Sequence, residues 1–127
     1  MIVNDPRTLA EVTAAFARYE KALGDNDIVT LDGFFWDSPD VLRNGIGENL
    51  YGIQQIRAFR KARTGGSPPR TLRNTVITTF GTDFGTANTE FHRDNTTLVG
   101  RQSQVWARLP QGWRIVSAHV SMMSEHS

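Results

Sequence analysis

The feature that most limits the fold is the shortness of the connections in the second half of the chain. After Arg70, four runs rich in β-branched and aromatic residues predict four strands: Leu72 to Phe80, Phe84 to His92, Arg101 to Leu109 and Trp113 to Met123. The connections between them are short and carry turn residues such as Gly, Asp, Asn and Pro. A parallel pair needs a long crossover, so connections this short restrict the runs to hairpins. The sequence therefore predicts an antiparallel meander.

The first half of the chain has helical periodicity instead. Apolar side chains share one face of a first helix: Leu9, Val12, Phe16, Tyr19 and Leu23. Asn4-Asp5-Pro6 provides a cap and a proline at its start, and Gly24 provides a stop. Two further helices are predicted, from Asp27 to Phe35 and from Ile53 to Phe59. The segment Trp36 to Tyr51 is rich in turn residues and predicts irregular chain with one or two short strands.

Helices that precede a run of strands define the α+β class. An amphipathic sheet must bend around the helices to enclose its apolar face. We therefore expect N-terminal helices packed on a strongly curved antiparallel sheet that encloses one pocket. The 127 residues match one domain, because two domains would each be too small to bury a core, and the prediction is a single domain over residues 1–127.

Composition excludes several classes of function. The 14 basic and 13 acidic residues leave a formal charge of +1, which gives no long-range field toward nucleic acid or an anionic membrane. The sequence contains no cysteine, which excludes disulfides, thiolate zinc sites and cysteine nucleophiles. It also lacks a leader pattern and an apolar run long enough to cross a bilayer. We expect a cytoplasmic protein with neither nucleic acid nor a membrane as its partner.

Common catalytic signatures are missing from the sequence. GxSxG, the Gly-rich phosphate loop and HExxH do not occur, and Gly45-Ile46-Gly47 lacks the third glycine of a dinucleotide fingerprint. His92, His119 and His126 share no spacing typical of metal ligands. We therefore predict neither a metal nor a cofactor.

The last predicted strand becomes polar where a core would be expected. Strict alternation gives it two faces, one with Val116, Ala118, Val120 and Met122 and the other with Trp113, Ile115, Ser117, His119 and Ser121. His119 is either a hydrogen-bonded structural group or a cavity residue with a proton to move. Arg101 shares a face with Ser103 on a neighbouring strand. Asn88 and Glu90 do the same two strands away, so these groups either converge in a cavity or form a solvated sheet edge.

Two polar residues occupy positions that the pattern assigns to the interior. Tyr19 lies in the apolar stripe of the first helix, either as a core tyrosine or as a functional one, and its hydroxyl needs a partner once buried. Arg43 lies between apolar residues that would line the interior if this segment is a strand, and a buried guanidinium needs an anion. That anion is either an acidic ligand or a carboxylate of the protein, such as Glu48 or Glu90.

The order of elements resembles the nuclear transport factor 2-like superfamily, especially its SnoaL-like branch, over nearly the whole chain. Within it, five blocks are similar to the HpxZ/AtzH-like family: Val3-Asn4-Asp5-Pro6, Phe16-Ala17-Arg18-Tyr19-Glu20, Gly47-Glu48-Asn49-Leu50-Tyr51-Gly52, Thr86-Ala87-Asn88-Thr89-Glu90-Phe91 and Gly100-Arg101-Gln102-Ser103-Gln104.

This resemblance implies a function in the catabolism of oxalurate or cyanuric acid. The implied activity is that of a cofactor-independent, decarboxylating amidohydrolase acting on small anionic carboxylated ureas such as 1,3-dicarboxyurea. The functional tyrosine and arginine of the family map onto Tyr19 and Arg43. Further residues are candidates for substrate binding: Arg101, Gln102, Ser103, His119 and Glu90.

Two other classes of function stay open at the level of sequence. A non-catalytic binding or assembly module of the same fold would have a filled interior and a large exposed apolar surface. A small-acid isomerase or lyase would use His119 with an acidic partner such as Glu90, and both side chains would then point into one cavity. Apolar residues on both faces of the last strand also predict a homodimer.

Overall fold

Helices come first and long strands follow in the computed structural model, which describes residues 1–125. The elements are α1 (Pro6–Gly24), α2 (Ile28–Gly33), β1 (Leu42–Asn44), β2 (Asn49–Tyr51), α3 (Ile53–Ala62), β3 (Thr71–Phe80), β4 (Phe84–His92), β5 (Val99–Leu109) and β6 (Gly112–Met123). The predicted α+β class is confirmed, and each of the four long strands ends at its predicted residue. No helix within residues 1–125 is long and apolar enough to span a membrane.

Both ends of α1 carry the local chemistry that the sequence predicts. The Asp5 carboxylate accepts hydrogen bonds from the Thr8 backbone N–H at 3.1 Å and from the Thr8 hydroxyl at 2.9 Å, and these bonds lower the pKa of Asp5. Pro6 occupies the first turn, where a backbone N–H would have no partner inside the helix. The helix ends at Gly24, as expected. The cap therefore fixes where α1 begins.

The strands form one sheet in the order β2-β1-β6-β5-β4-β3. Strands β3 to β6 make the predicted antiparallel meander. Strand β1 departs from the expected pattern because it pairs with β6 in parallel, with Arg43 opposite Ala118. The long chain between these two strands provides the crossover that parallel pairing requires. This pairing places Arg43 beside the last strand of the meander.

The apolar face of the helices packs on one face of the sheet, which we call the concave face. Members of this core include Phe16, Tyr19, Leu31, Phe34, Phe35, Trp106, Trp113 and Ile115. The ring of Phe34 meets that of Trp106 edge-on, with centroids 5.7 Å apart and planes at 79°. Helices and sheet are thus joined by interlocking aromatic rings.

A β-bulge interrupts the alternation of β6. Val105 on β5 pairs with Ser117, whereas the next residue, Trp106, pairs with Ile115. Val116 is therefore an extra residue without a partner of its own on β5. From this point on, the side chains of β6 exchange faces relative to strict alternation.

The bulge corrects the predicted faces of the last strand. Ile115 lies on the concave face before the bulge, and Ala118 and Val120 lie on the same face after it. His119 and Ser121 consequently lie on the opposite, convex face, where His119 is exposed. The expectation that Ile115 and His119 share a face was wrong, because alternation continues only where both strands advance together.

A close approach between β4 and β5 gives a first test. Gly100 pairs with Phe91, and a Cβ at position 100 would lie 2.1 Å from Cζ of that ring. Gly100→Ala is therefore expected to lower the free energy of unfolding by about 1–3 kcal/mol, as overpacking does. Urea denaturation measures the change. Gly24→Ala is the control, since no atom of residues 1–125 lies within 4 Å of a Cβ there, and equal stability of the two variants would contradict the prediction.

Candidate active site

A cavity of about 210 Å³ lies between α1, α3, β1 and the concave face of the sheet. This volume is below the range of roughly 300–1,000 Å³ that drug-sized ligands occupy, so the cavity suits a small molecule. Its polar lining comprises Tyr19, Arg43, Glu48, Arg63, Ser67, Arg70, Arg93 and Gln102. Arginine is the most frequent residue in this lining.

Tyr19 belongs both to the core and to the cavity. The residue is only 4% exposed, and its ring makes edge contacts with Phe34 and Phe35 at centroid distances of 6.1 and 6.2 Å. Within residues 1–125, no group is hydrogen-bonded to its hydroxyl. The aromatic contacts therefore hold the ring, while the O–H is available to a ligand.

Arg43 is a buried guanidinium that retains free donors. The residue is 9% exposed, its Nη1 donates to Glu48 Oε1 at 3.2 Å, and its guanidinium lies 5.5 Å from the centroid of Phe59. The predicted ion pair between Arg43 and Glu48 is thus present. Within residues 1–125, Arg43 forms no ion pair with Glu90. Because an arginine has five N–H donors, the contact with Glu48 leaves capacity for an anionic ligand.

The guanidinium groups of Arg63 and Arg43 lie over the same aromatic ring, but Arg63, unlike Arg43, forms no ion pair with a carboxylate of residues 1–125. Its guanidinium is 5.8 Å from the centroid of Phe59, and within residues 1–125 it forms no ion pair. Burial lowers the pKa of Arg63, the neighbouring charges of Arg43, Arg60 and Arg93 lower it further, and the charge of Glu48 partly opposes them. Arginine remains protonated at neutral pH, so Arg63 contributes a positive charge to the cavity.

Two further guanidinium groups lie over a second aromatic ring, that of Phe91. The guanidinium of Arg70 lies 4.6 Å from its centroid and that of Arg93 lies 5.2 Å away. Arg70 forms an ion pair with Glu20 and donates to Gln102 Oε1 at 3.0 Å. Arg93 has a buried Nε for which the described part of the chain offers no hydrogen-bond partner, and burial, followed by the charge of Arg70, lowers its pKa.

The balance of charge favours an anionic ligand. Four arginines line the cavity, and two carboxylates, those of Glu48 and Glu20, pair with members of this group. Four positive and two negative charges leave an excess of two positive charges. Charges removed from water need partners, so the cavity suits a small ligand with two negative charges.

The predicted site residues divide between the two faces of the sheet. Tyr19, Arg43 and Gln102 line the cavity. The other four candidates lie on the convex face: Arg101, which donates to Ser121 Oγ at 3.1 Å; Ser103, which donates to Asn88 Oδ1 at 2.6 Å; Glu90, which accepts from Asn74 at 2.9 Å; and the exposed His119. Of the two alternatives for these groups, convergence in one cavity is wrong for Arg101, Ser103, Glu90 and His119, because the alternation of β4 and β5 and the bulge of β6 direct them away from it.

Sequence reasoning missed Arg63, Arg70 and Arg93, which lie at the ends of elements or in connections, where no periodicity marks an inward side chain. A weaker signal was present. Phe59 and Arg63 are spaced i, i+4 at the end of a helix, which brings side chains together. Phe91 and Arg93 are spaced i, i+2 at the end of a strand, where residues share a face.

No group of three or more His, Asp or Glu side chains within residues 1–125 is arranged to hold a metal ion. His92 and His119 are the histidines of this part, and neither lines the cavity. His126, the third histidine of the sequence, lies outside the described residues.

Comparison with solved structures shows to which structural superfamily this fold belongs. The chain has the nuclear transport factor 2-like fold. A protein of the nuclear transport factor 2-like superfamily from Salmonella enterica is 26% identical to it, with a TM-score of 0.74 over 95% of this chain and 94% of that one. More narrowly, the chain belongs to the AtzH-like family, which matches residues 1–126.

Two solved structures are much more similar in sequence. A protein of unknown function from Pectobacterium atrosepticum is 58% identical, with a TM-score of 0.94 over 96% of this chain and 95% of that one. A cystatin-like fold protein from Burkholderia xenovorans is 51% identical, also with a TM-score of 0.94, over 98% of both chains. No functionally curated protein matches the sequence.

Proposed function

We propose that this protein is a decarboxylating amidohydrolase that acts on a small carboxylated urea, for which 1,3-dicarboxyurea is the best candidate. The observation that carries the proposal is the cavity with two excess positive charges beside an unengaged tyrosine hydroxyl. A small, flat dianion matches the size and charge of this cavity. Membership of the AtzH-like family supports the same activity.

In this proposal Arg43 binds a carboxylate of the substrate. A guanidinium presents donors in a planar fork, so it can hold a carboxylate through two parallel hydrogen bonds. The contacts of Arg43 with Glu48 and Phe59 fix the orientation of that fork. Arg63, on the same ring, adds positive charge at this end of the cavity.

Tyr19 supplies the proton in the proposed step. The bond between a terminal carboxyl carbon and the urea nitrogen breaks, its electron pair stays on the nitrogen, and the carboxyl group leaves as carbon dioxide. The nitrogen takes a proton from the Tyr19 hydroxyl, which solvent restores. The dianion and one proton thus give allophanate and carbon dioxide, and a donor aimed at the developing charge lowers the barrier.

The activity can be measured directly. Purified protein is mixed with freshly prepared 1,3-dicarboxyurea, and release of carbon dioxide and allophanate is compared with the spontaneous reaction. We expect catalysis by the wild type and strong losses in Tyr19→Phe and Arg43→Ala. Equal rates for all three proteins would contradict the assigned roles.

The isomerase or lyase alternative loses its geometric basis. It needs His119 and Glu90 in one cavity, but both lie on the convex face, where Glu90 accepts a hydrogen bond from Asn74. We therefore expect His119→Ala to turn over 1,3-dicarboxyurea within about twofold of the wild type, as remote surface changes generally do. A loss greater than tenfold in the same assay would contradict this placement.

A further inference from the structure

The arginines of the cavity are organised in two matching halves. In one half, the guanidinium groups of Arg43 and Arg63 lie over the ring of Phe59. In the other half, those of Arg70 and Arg93 lie over the ring of Phe91. In each half, one arginine has a carboxylate partner within the described chain and the other has none. Within residues 1–125, each half therefore has one guanidinium that forms no ion pair.

We infer that Arg93 and Gln102 form a second carboxylate subsite at the Phe91 half of the cavity, with Arg70 as a positioning residue. The cavity then selects linear molecules that have a carboxylate at each end, one for each half. This inference rests on the proposed function for the identity of the natural substrate, but the binding that it describes is measurable without turnover.

Arg93 has the donor that such a subsite needs. Its guanidinium lines the cavity 5.2 Å from the ring centroid of Phe91, and its buried Nε has no hydrogen-bond partner among residues 1–125. A buried donor without a partner is unfavourable, and a carboxylate is its strongest available acceptor. The carboxylate of this half, Glu20, forms its ion pair with Arg70 and not with Arg93.

Gln102 keeps this half of the cavity positive. The residue is buried, its Oε1 accepts from Arg70 at 3.0 Å, and its Nε2 lies 3.5 Å from Glu20 Oε1, the outer limit of a hydrogen bond. Its amide therefore has donor capacity left for a ligand. A carboxylate at this position would neutralise the half, so the neutral amide is consistent with an external anion.

A pair of inert ligands tests the subsite. Glutarate has the same number of atoms between its carboxylates as 1,3-dicarboxyurea, and glutaramate replaces one carboxylate by a neutral amide of similar shape. By isothermal titration calorimetry, we expect the wild type to bind glutarate at least about tenfold more tightly than glutaramate, the effect of a lost charged hydrogen bond.

Two variants should remove this preference by different routes. Arg93→Gln deletes the positive charge, and Gln102→Glu adds a negative charge with little change of shape. Each is expected to weaken glutarate binding about tenfold while leaving glutaramate within about threefold of the wild type. Arg57→Gln is the matched control and should keep the preference, because its side chain is 42% exposed and pairs with Asp37 at 3.7 Å.

The outcomes separate this inference from the proposed function. A preference for glutarate that Arg93→Gln and Gln102→Glu abolish supports the subsite, even if 1,3-dicarboxyurea is not turned over. A wild type that binds neither ligand or prefers glutaramate would overturn it, as would two folded variants that keep the preference. Catalysis combined with an unchanged ligand ratio in both variants would leave the proposed function standing and remove the subsite.

Discussion

Arg43→Ala is expected to lower kcat/KM for 1,3-dicarboxyurea by at least about a hundredfold, the effect of truncating one member of a buried, hydrogen-bonded charge pair. Two losses combine in this variant. The substrate loses the donor fork that holds its carboxylate. In addition, Glu48 loses the guanidinium at 3.2 Å and directs an unpaired negative charge toward an anionic ligand.

A double variant separates these two losses. Arg43→Ala combined with Glu48→Gln removes the repulsive carboxylate and should recover about tenfold of the lost kcat/KM, while the missing fork keeps the rate well below that of the wild type. Steady-state kinetics on the wild type, the two single variants and the double variant give the full cycle. An Arg43→Ala protein that retains kcat/KM within threefold of the wild type would show that the guanidinium does not bind the substrate.

Tyr19→Phe is expected to lower kcat by about 10²–10³-fold, within the range found for a positioned general acid. KM should change little, because phenylalanine preserves the ring contacts with Phe34 and Phe35. An effect on kcat alone indicates an interaction made in the transition state. Substrate-saturation kinetics by product release provide both parameters.

Thermal denaturation of Tyr19→Phe supplies the structural control. The hydroxyl has no hydrogen-bond partner within residues 1–125, so its removal should leave the melting temperature unchanged. A lower kcat accompanied by a large loss of stability would point to a purely structural role. An unchanged kcat would eliminate Tyr19 as the proton donor.

Much of the architecture follows from two local signals. Helical spacing and the Asp5 cap predict α1, and the short, turn-rich connections predict the meander, whose strands end at the expected residues. Tyr19 and Arg43 could be singled out as polar residues that line the cavity because each lies within an apolar pattern. Such exceptions are visible in a sequence when the surrounding period is regular.

Other features could not be predicted, for physical reasons. The bulge at Val116 depends on how β5 and β6 pair, and neither strand encodes that pairing in its own alternation. Arg63 and Arg93 point into the cavity from an element end and a connection, where the backbone has no repeating direction. The homodimer stays a prediction.

The extra residue in β6 also affects how residues should be matched between relatives. Val116 is one extra residue in β6. Every side chain after it therefore lies on the face opposite to the one that strict alternation from Ile115 would give. In a relative that lacks the extra residue, strict alternation would place the fourth residue after the counterpart of Ile115 on the concave face, whereas in this chain the fourth residue after Ile115 is His119, on the convex face. Equivalence of ligand-facing positions along this strand therefore has to be judged from strand pairing, since counting residues without a gap would match the wrong side chains.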